Sequence, residues 1–302
     1  MIKKTCKNAT LRIMDNITTT VFNEKPYRHK GILNPENYKS HVNLRCYEPS
    51  PELAPFVELY FVARWERPDT EDIIISDILT RPVVNMFFTT HGTFISGVVN
   101  GVRSFRIGPS GIYAGVKFLP GGFRPFYNAS VASITDRRIP TEYLFPKADG
   151  TFVSTLLAMK DDQGIVTQLE NLLKTSAPKY DIRGLLARRA VEKVEADHSL
   201  TVESLAAELG LTVRGLQRLF QNYIGVGPKW TLKRSRLLHT LGYALEAEKP
   251  NWTTISAELN YSTQPHFINE FKYLFGITPT QYVKLISGAS AAIVPKSQMM
   301  VI

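Results

Sequence analysis

The sequence predicts an α+β protein in which a small antiparallel β domain precedes an all-helical domain. Three observations support this fold class. Short β-branched and aromatic runs, separated by turn residues, lie between positions 73 and 118. Apolar residues recur at helical spacing from position 151 onward. The C-terminal third of the chain repeats itself at a period of about fifty residues.

Composition sets the outer limits. The 302 residues suffice for two ordinary domains, and 44% hydrophobic with 21% charged residues is normal globular composition. No apolar run approaches the roughly 18 residues of a membrane-spanning helix, and the N-terminus lacks a secretory signal pattern, so we expect a cytoplasmic, nucleoid-associated protein and no membrane. The net charge of +9 suits a polyanionic partner. Positions 178–284, however, hold 14 Lys and Arg against 10 Asp and Glu, a difference of only four.

The N-terminal elements follow in order. Residues 1–40 are polar, and we expect them to form a loosely held arm. A short amphipathic helix is predicted by the helical spacing of Leu53, Phe56, Val57, Tyr60 and Phe61. Strands are expected at 73–75, 83–89, 94–99, 102–107 and 112–118. Asn100-Gly101 predicts a type I′ hairpin turn, because both residues adopt positive φ readily. Such a domain would be cupin-like or barrel-like, and two linker helices should follow it within 141–181, broken near Asp161–Gly164.

Catalytic or metal chemistry finds little support in these residues. The six histidines lack HxH or HExxH spacing, and Cys6 and Cys46 lack CxxC spacing. Asp77 and Asp136 could be paired acids, but scattered carboxylates are usually surface groups. We expect no enzyme, no metal and no cofactor. A ligand cavity remains open as an alternative to plain core packing for Phe87, Phe88, Phe94, Phe105, Tyr113, Phe118 and Phe123. The turn at 120–122 could line a pocket mouth, although a structural turn is its default role.

The C-terminal repeat is the most informative feature. The first copy holds SLAAEL at 204–209 and the second holds TISAEL at 254–259, an offset of fifty. Gly225 recurs as Gly276 at fifty-one. Each copy therefore predicts a short helix, a tight turn and a second helix. The left-handed turn position holds Gly210 in one copy and Asn260 in the other, the two residue types that adopt it best. Helix starts are predicted from capping signals at Thr212, Gly227-Pro228 and Thr278-Pro279, with a capping box between Thr278 and Gln281.

The second helix of the first copy is amphipathic. Its buried stripe should be Leu216, Leu219, Phe220 and Tyr223. The opposite face carries Arg214, Gln217, Arg218 and Gln221. Arg pairs with guanine and Gln with adenine in the major groove, so this row favours a recognition helix. On a lone helix a solvated polar face would be the default, but the repeated helix-turn-helix pattern favours DNA contact.

The second copy should place Phe267, Ile268, Phe271 and Leu274 inward. The residues left to face DNA are Ser262, Thr263, Gln264, His266, Asn269 and Lys272. This face is less basic, and Glu270 would repel phosphate if it pointed toward DNA. We therefore expect the second copy to read fewer bases.

A longer helix, about 229–245, should hold the two units rigidly, so that both second helices can enter successive major grooves roughly 34 Å apart. On this helix, Lys233, Arg234 and Arg236 could contact phosphate or form a solvated face.

The sequence resembles the AraC-type (AraC/XylS) transcription regulators. The resemblance covers about 183–285 and rests on LA at 205–206, LQRLF at 216–220, HF at 266–267, FK at 271–272 and FGITP at 275–279. Asn260-Tyr261 stands where the family usually has Gly-Phe, and Pro265 and Asn269 stand where Ser and Arg are common. More weakly, GVKFLPGG at 115–122 looks like the sensing domains of such regulators.

The resemblance implies a seven-helix DNA-binding domain at 182–286, a β-rich sensing or dimerisation domain at 41–140, and a C-terminal tail at 287–302. The implied partners are a double-stranded DNA operator, a small-molecule effector, RNA polymerase and a second copy of the chain, and the commoner behaviour in the family is that of an activator. Two alternatives remain: a regulator whose N-terminal domain only dimerises or binds a protein, and, more remotely, a DNA-associated enzyme.

Overall fold

The computed structural model describes residues 22–24, 31–67, 73–247 and 249–287, and the backbone of 297–301. After a short helix α1 (Pro35–Lys39), the N-terminal part contains the strands β1 (Asn43–Tyr47), β2 (Val57–Glu66), β3 (Ile74–Ile78), β4 (Asn85–Thr89), β5 (Gly92–Ser96), β6 (Val102–Ile107), β7 (Ser110–Phe118) and β8 (Arg138–Pro140). Two helices follow, α2 (Gly150–Ala158) and α3 (Asp162–Lys174). The described chain ends in β9 (Ser297–Val301).

The strands form two sheets. The larger is antiparallel, with the order β1-β2-β7-β4-β5-β8, and the smaller has the order β3-β6-β9, in which β9 runs parallel to β6. Aromatic side chains fill the space between the sheets, among them Phe61, Phe87, Phe105 and Tyr113. The other face of the larger sheet packs against apolar side chains of α2 and α3, such as Leu156 and Leu169. This layered antiparallel domain confirms the predicted α+β class.

The predicted helix over 53–61 is wrong. Residues 51–56 form turns and β2 begins at Val57. Both faces of this strand are covered: Tyr60 and Val62 face the helices, whereas Leu59 and Phe61 face the smaller sheet. A strand buried on both faces has a continuous apolar run rather than an alternating one, and such a run cannot be distinguished from a helix by spacing alone.

The predicted hairpin turn at Asn100-Gly101 is also wrong. Strands β5 and β6 belong to different sheets, and neither residue has a positive φ. Residues 97–101 instead carry the chain from one sheet to the other, and Asp136 accepts a 2.8 Å hydrogen bond from the backbone N–H of Asn100. The tight hairpin lies at His91, between the paired strands β4 and β5.

The C-terminal domain has seven helices within 182–286: α4 (Ile182–Ala196), α5 (Val202–Glu208), α6 (Val213–Tyr223), α7 (Pro228–Glu246), α8 (Trp252–Glu258), α9 (Gln264–Phe275) and α10 (Pro279–Ile286). Two apolar cores lie at its ends, one around Phe220 and the other around Phe271. The helix α7 contributes Leu232 to the first core and Leu237 and Leu241 to the second. It therefore joins the two units as the sequence predicts.

Candidate nucleic-acid interface

The first helix-turn-helix unit consists of α5 and α6. Gly210 closes α5 in the left-handed conformation, with φ of 65°. The side chain of Thr212 then caps α6 by accepting a hydrogen bond from the N–H of Gly215 at 3.0 Å. The left-handed turn at Gly210 and the cap at Thr212 thus determine where α6 begins. The turn directs one face of α6 away from the core.

The two faces of α6 differ as predicted. Leu216, Leu219 and Phe220 are buried in the first core. The side chains exposed to solvent on the opposite face include Arg214, Gln217, Arg218 and Gln221. Within the described part of the chain, these four side chains have no hydrogen bond or ion pair, and their donors are free to meet a groove. Tyr223 departs from the prediction, because it is only half-buried and its hydroxyl donates to Asp181 at 2.6 Å.

The second unit repeats the geometry with α8 and α9. Asn260 takes the left-handed turn position, with φ of 56°, which is the role predicted for it. Thr263 caps α9 by accepting from the N–H of His266 at 3.3 Å. The exposed residues here include Ser262, Thr263, His266, Asn269 and Lys272.

Part of the polar surface at α9 is engaged locally. Gln264 is half-buried and accepts a 3.1 Å hydrogen bond from the hydroxyl of Thr253. Ser262 lies 3.3 Å from the Nδ1 atom of His266. By contrast, Asn269 and Lys272 have no side-chain partner among the described residues. This face therefore offers fewer free donors than α6.

Glu270 points toward the protein. Only 13% of its side chain is exposed, and its carboxylate accepts from Lys233 at 2.9 Å and from the hydroxyl of Tyr261 at 3.4 Å. The carboxylate raises the pKa of Tyr261, although burial is the larger cause. Glu270 thus ties α9 to α7 and is largely neutralised by Lys233.

The prediction that Arg234 contacts phosphate or solvent is wrong. Its side chain is 3% exposed and its guanidinium donates to backbone carbonyls of the N-terminal domain, at 3.2 Å for Val99 and also at Asn100. Longer contacts of 3.4 Å reach Thr80 and Gly101. Burial lowers the pKa of Arg234 to about 9. Arg236, two residues on, donates to carbonyls within its own domain.

Further contacts join the domains. The hydroxyl of Thr135 donates to the carbonyl of Gly225 at 2.6 Å, at the end of α6. The hydroxyl of Tyr282, on α10, donates to the carbonyl of Leu33 at 2.7 Å. Gly121, with φ of 77°, lies so close to α4 that an added Cβ would come within 2.5 Å of the carbonyl oxygen of Gly184. The turn at 120–122 is therefore a structural contact between the domains, and the polar face of α6 stays exposed beside it.

A second candidate site lies inside the N-terminal domain. A cavity of about 100 Å³ lies between the two sheets. Of the predicted aromatic set, Phe87, Phe105 and Tyr113 line it, whereas Phe88, Phe118 and Phe123 pack on the opposite side of the larger sheet. Three cationic residues that the sequence did not predict as site residues, Arg81, Arg103 and Lys117, also line the cavity. The only sequence signal was that Arg103 and Lys117 lie within predicted strands, whose side chains alternate between the two faces of a sheet.

The cationic residues at the cavity are connected to the DNA-binding half. Arg81 forms ion pairs with Glu58 at 2.9 Å and with Glu195 of α4 at 2.8 Å. Lys117 shares Glu58, at 3.1 Å, and burial lowers its pKa. Asp77 and Asp136, which were considered as a possible acid pair, have separate partners: Asp77 accepts from Ser104, while Asp136 accepts from Asn100. Across the described residues, no three His, Cys, Asp or Glu side chains are grouped as metal ligands.

Two helix-turn-helix units joined by one central helix define a DNA-binding domain of the AraC type. A family model described as a helix-turn-helix domain matches residues 205–285, and a second, described as a domain of unknown function (DUF6597), matches residues 45–140. The C-terminal domain is therefore a helix-turn-helix domain, and its two units agree with the AraC-type resemblance in the sequence.

Known proteins similar to this chain are named as regulators. The F1 operon positive regulatory protein of Yersinia pestis is 35% identical over 83 residues, which are 28% of this chain and 27% of that protein. The HTH-type transcriptional regulator ArgR of Pseudomonas aeruginosa is 27% identical over 123 residues, 41% of this chain and 36% of that protein. A crystal structure of an AraC-type regulator from Chromobacterium violaceum is 26% identical, covers 33% of this chain and 91% of that chain, and has a TM-score of 0.31.

The chain spans less than half the length of each of these two curated relatives. No helix in the described ranges is both long and apolar enough to cross a membrane.

Proposed function

We propose that this protein is a sequence-specific transcription regulator that binds a double-stranded operator through α6 and α9. The observation that carries the proposal is the exposed row of Arg214, Gln217, Arg218 and Gln221 on a helix that its turn and cap hold in place. Arg and Gln side chains in a major groove discriminate guanine and adenine. The domain interface leaves this row open.

In this proposal the two helix-turn-helix units have different roles in DNA recognition. The face of α6 presents two arginines and two glutamines, all exposed. Of the six residues predicted to face DNA in the second unit, only Asn269 and Lys272 are both exposed and without a local partner among the described residues. We therefore assign most base reading to α6, and mainly positioning on phosphate to α9.

The N-terminal domain is proposed to control this binding through a small effector in its cavity. Thr80, Arg81 and Arg103 line the cavity. The same two segments of chain hold the DNA-binding domain, since the carbonyls of Thr80, Val99, Asn100 and Gly101 accept from Arg234. A ligand that moves either segment would therefore change the contacts with α7. An N-terminal domain that only dimerises would not need a cavity, nor cavity-lining segments that also contact the DNA-binding domain.

We further infer that operator binding activates transcription and brings RNA polymerase to the promoter. Support comes from the Yersinia relative, which is named a positive regulatory protein. A reporter under the selected operator measures the direction, and a fall in transcription would contradict activation.

Selection of binding sites from a random duplex library tests the proposal. The full chain, and the variant with both Arg214→Ala and Arg218→Ala, are each selected at near-physiological salt, because phosphate contacts alone bind without sequence preference. We expect the full chain to enrich a motif of two half-sites about one helical turn apart, and the variant to lose the half-site read by α6. Failure of the full chain to enrich any sequence would refute the assignment.

A further inference from the structure

The cavity between the sheets contains a buried cation, the guanidinium of Arg103. Arg103 is 3% exposed, and among the described residues no carboxylate lies within ion-pair distance of it. Its guanidinium donates to the hydroxyl of Ser96 and lies 5.9 Å from the ring centroid of Phe87. Burial, and then the charge of Arg138, lower its pKa to about 10. A buried cation is costly unless an anion compensates it.

The neighbouring charges do not supply that anion. Arg81 and Lys117 share the carboxylate of Glu58, and Arg81 also takes Glu195. Three cations therefore line the cavity and two carboxylates are bound to two of them. Among the described residues, Arg103 is the cation of the three without an ion pair: the charge of Asp136 raises its pKa, but no carboxylate lies within ion-pair distance of it.

A second observation at the cavity, an unpaired hydroxyl, independently indicates a polar ligand. The Oγ1 atom of Thr80 is buried and has no hydrogen-bond partner within the described chain. Thr80 lines the same cavity as Arg103. An unsatisfied buried polar atom in a native structure calls for a water, an ion or a ligand, because leaving it unpaired costs free energy.

Most of the remaining cavity wall is apolar, although Asn85 and the hydrogen-bonded hydroxyls of Tyr38 and Tyr113 also line it. Leu59, Phe61, Phe87 and Phe105 contribute to it. Its volume is about 100 Å³. A water molecule occupies about 30 Å³ of the liquid, so the space accommodates about three waters or a molecule of roughly six non-hydrogen atoms.

We propose that this cavity binds a small monocarboxylate with a short aliphatic chain, whose carboxylate pairs with Arg103 and accepts from the hydroxyl of Thr80. One uncompensated charge matches one carboxylate, and the guanidinium fork binds a planar carboxylate through two parallel hydrogen bonds. A phosphate would bring nearly two negative charges to a site with one unpaired cation, and most of the wall around it is apolar. The regulatory meaning of this ligand rests on the proposed function, but binding itself does not.

The test is calorimetric titration of the full chain with acetate, butyrate, hexanoate, butyramide and inorganic phosphate, at constant ionic strength and pH 7. We expect butyrate to bind best, because its six non-hydrogen atoms fill the cavity and acetate leaves part of it empty. Butyramide has the same shape without the charge and should bind about ten-fold more weakly or worse. Equal binding of butyrate and butyramide, or preferred binding of phosphate, would overturn the proposal.

Variants locate the site. Arg103→Met keeps an apolar stem of similar length and should lower butyrate affinity about ten-fold or more. Arg106→Met, three residues on and on the opposite face of β6, is the matched control and should leave it unchanged. Thr80→Val removes only the hydroxyl and should weaken binding a few-fold, so it tests the site even if Arg103→Met does not fold. Undiminished binding by Thr80→Val and by a folded Arg103→Met would refute the assignment.

The two proposals fail separately. If butyrate binds and library selection finds no operator, the carboxylate site stands and the regulator assignment falls. If selection finds an operator and no carboxylate binds, the regulator assignment stands and the carboxylate site falls.

Discussion

Replacement of Arg234 by methionine tests the domain interface most directly. Methionine keeps an apolar side chain next to Trp230, over whose ring the guanidinium lies at 4.4 Å, and removes every donor. Two of the contacts, those to Val99 and Asn100, are no longer than 3.2 Å and count as hydrogen bonds from a charged donor. A hydrogen bond from a charged donor contributes about 1.5–3 kcal/mol, so the two together contribute about 3–6 kcal/mol.

Part of that loss is offset, because the substitution also removes a charge that is costly to bury. We expect the free energy of unfolding to fall by about 2–4 kcal/mol, measured by urea unfolding with tryptophan fluorescence. We also expect the interface to loosen, which small-angle X-ray scattering would record as a larger radius of gyration. The backbone amide hydrogens of residues 97–101 should exchange with solvent faster than in the wild-type protein.

Arg236→Met is the matched control. Arg236 lies on the same helix and also donates to two carbonyls, those of His198 at 3.1 Å and Leu200 at 3.2 Å, but both belong to its own domain. It should destabilise the chain by a similar amount without separating the domains. If Arg234→Met leaves stability, radius and exchange at wild-type values, the guanidinium does not hold the interface.

Three other predictions concern recognition, packing and pH. Arg218→Ala should weaken operator binding by about 1–3 kcal/mol without changing the melting temperature, with Arg106→Ala as the control; unchanged affinity in a filter or fluorescence assay would remove Arg218 from the interface. Phe220→Ala or Phe271→Ala should each lower the free energy of unfolding by about 3–5 kcal/mol, because both rings are fully buried and would leave cavities; fully stable variants would mean that the helix faces are reversed. Burial, and then the neighbouring His239, lower the pKa of His198 below 6.5, so the unfolded chain binds this proton more readily and stability should fall as the pH drops through about 6.5. The variant His198→Gln should flatten that slope in urea titrations between pH 7 and 5, and an unchanged slope would contradict this role.

Much of the C-terminal domain was predictable from local signals. Gly210 and Asn260 occupy left-handed positions, and Thr212 and Thr278 cap helices, because these preferences depend on backbone dihedrals and hydrogen bonds within about four residues. The polar face of α6 followed from helical spacing for the same reason. Such features need no knowledge of distant partners.

The remaining features depend on long-range packing. Whether residues 57–61 form a strand or a helix was decided by burial on both faces, which requires the smaller sheet and the helices α2 and α3 to be in place. Arg234 has the sequence signature of a surface cation, yet it bonds to Val99, 135 positions earlier. The ion pair between Arg81 and Glu195 and the lone charge of Arg103 likewise depend on which strands meet. The periodicity of apolar residues predicts which face of an element is buried and which is solvated. It does not predict which other element packs against the buried face, because those long-range contacts form only when the whole chain folds.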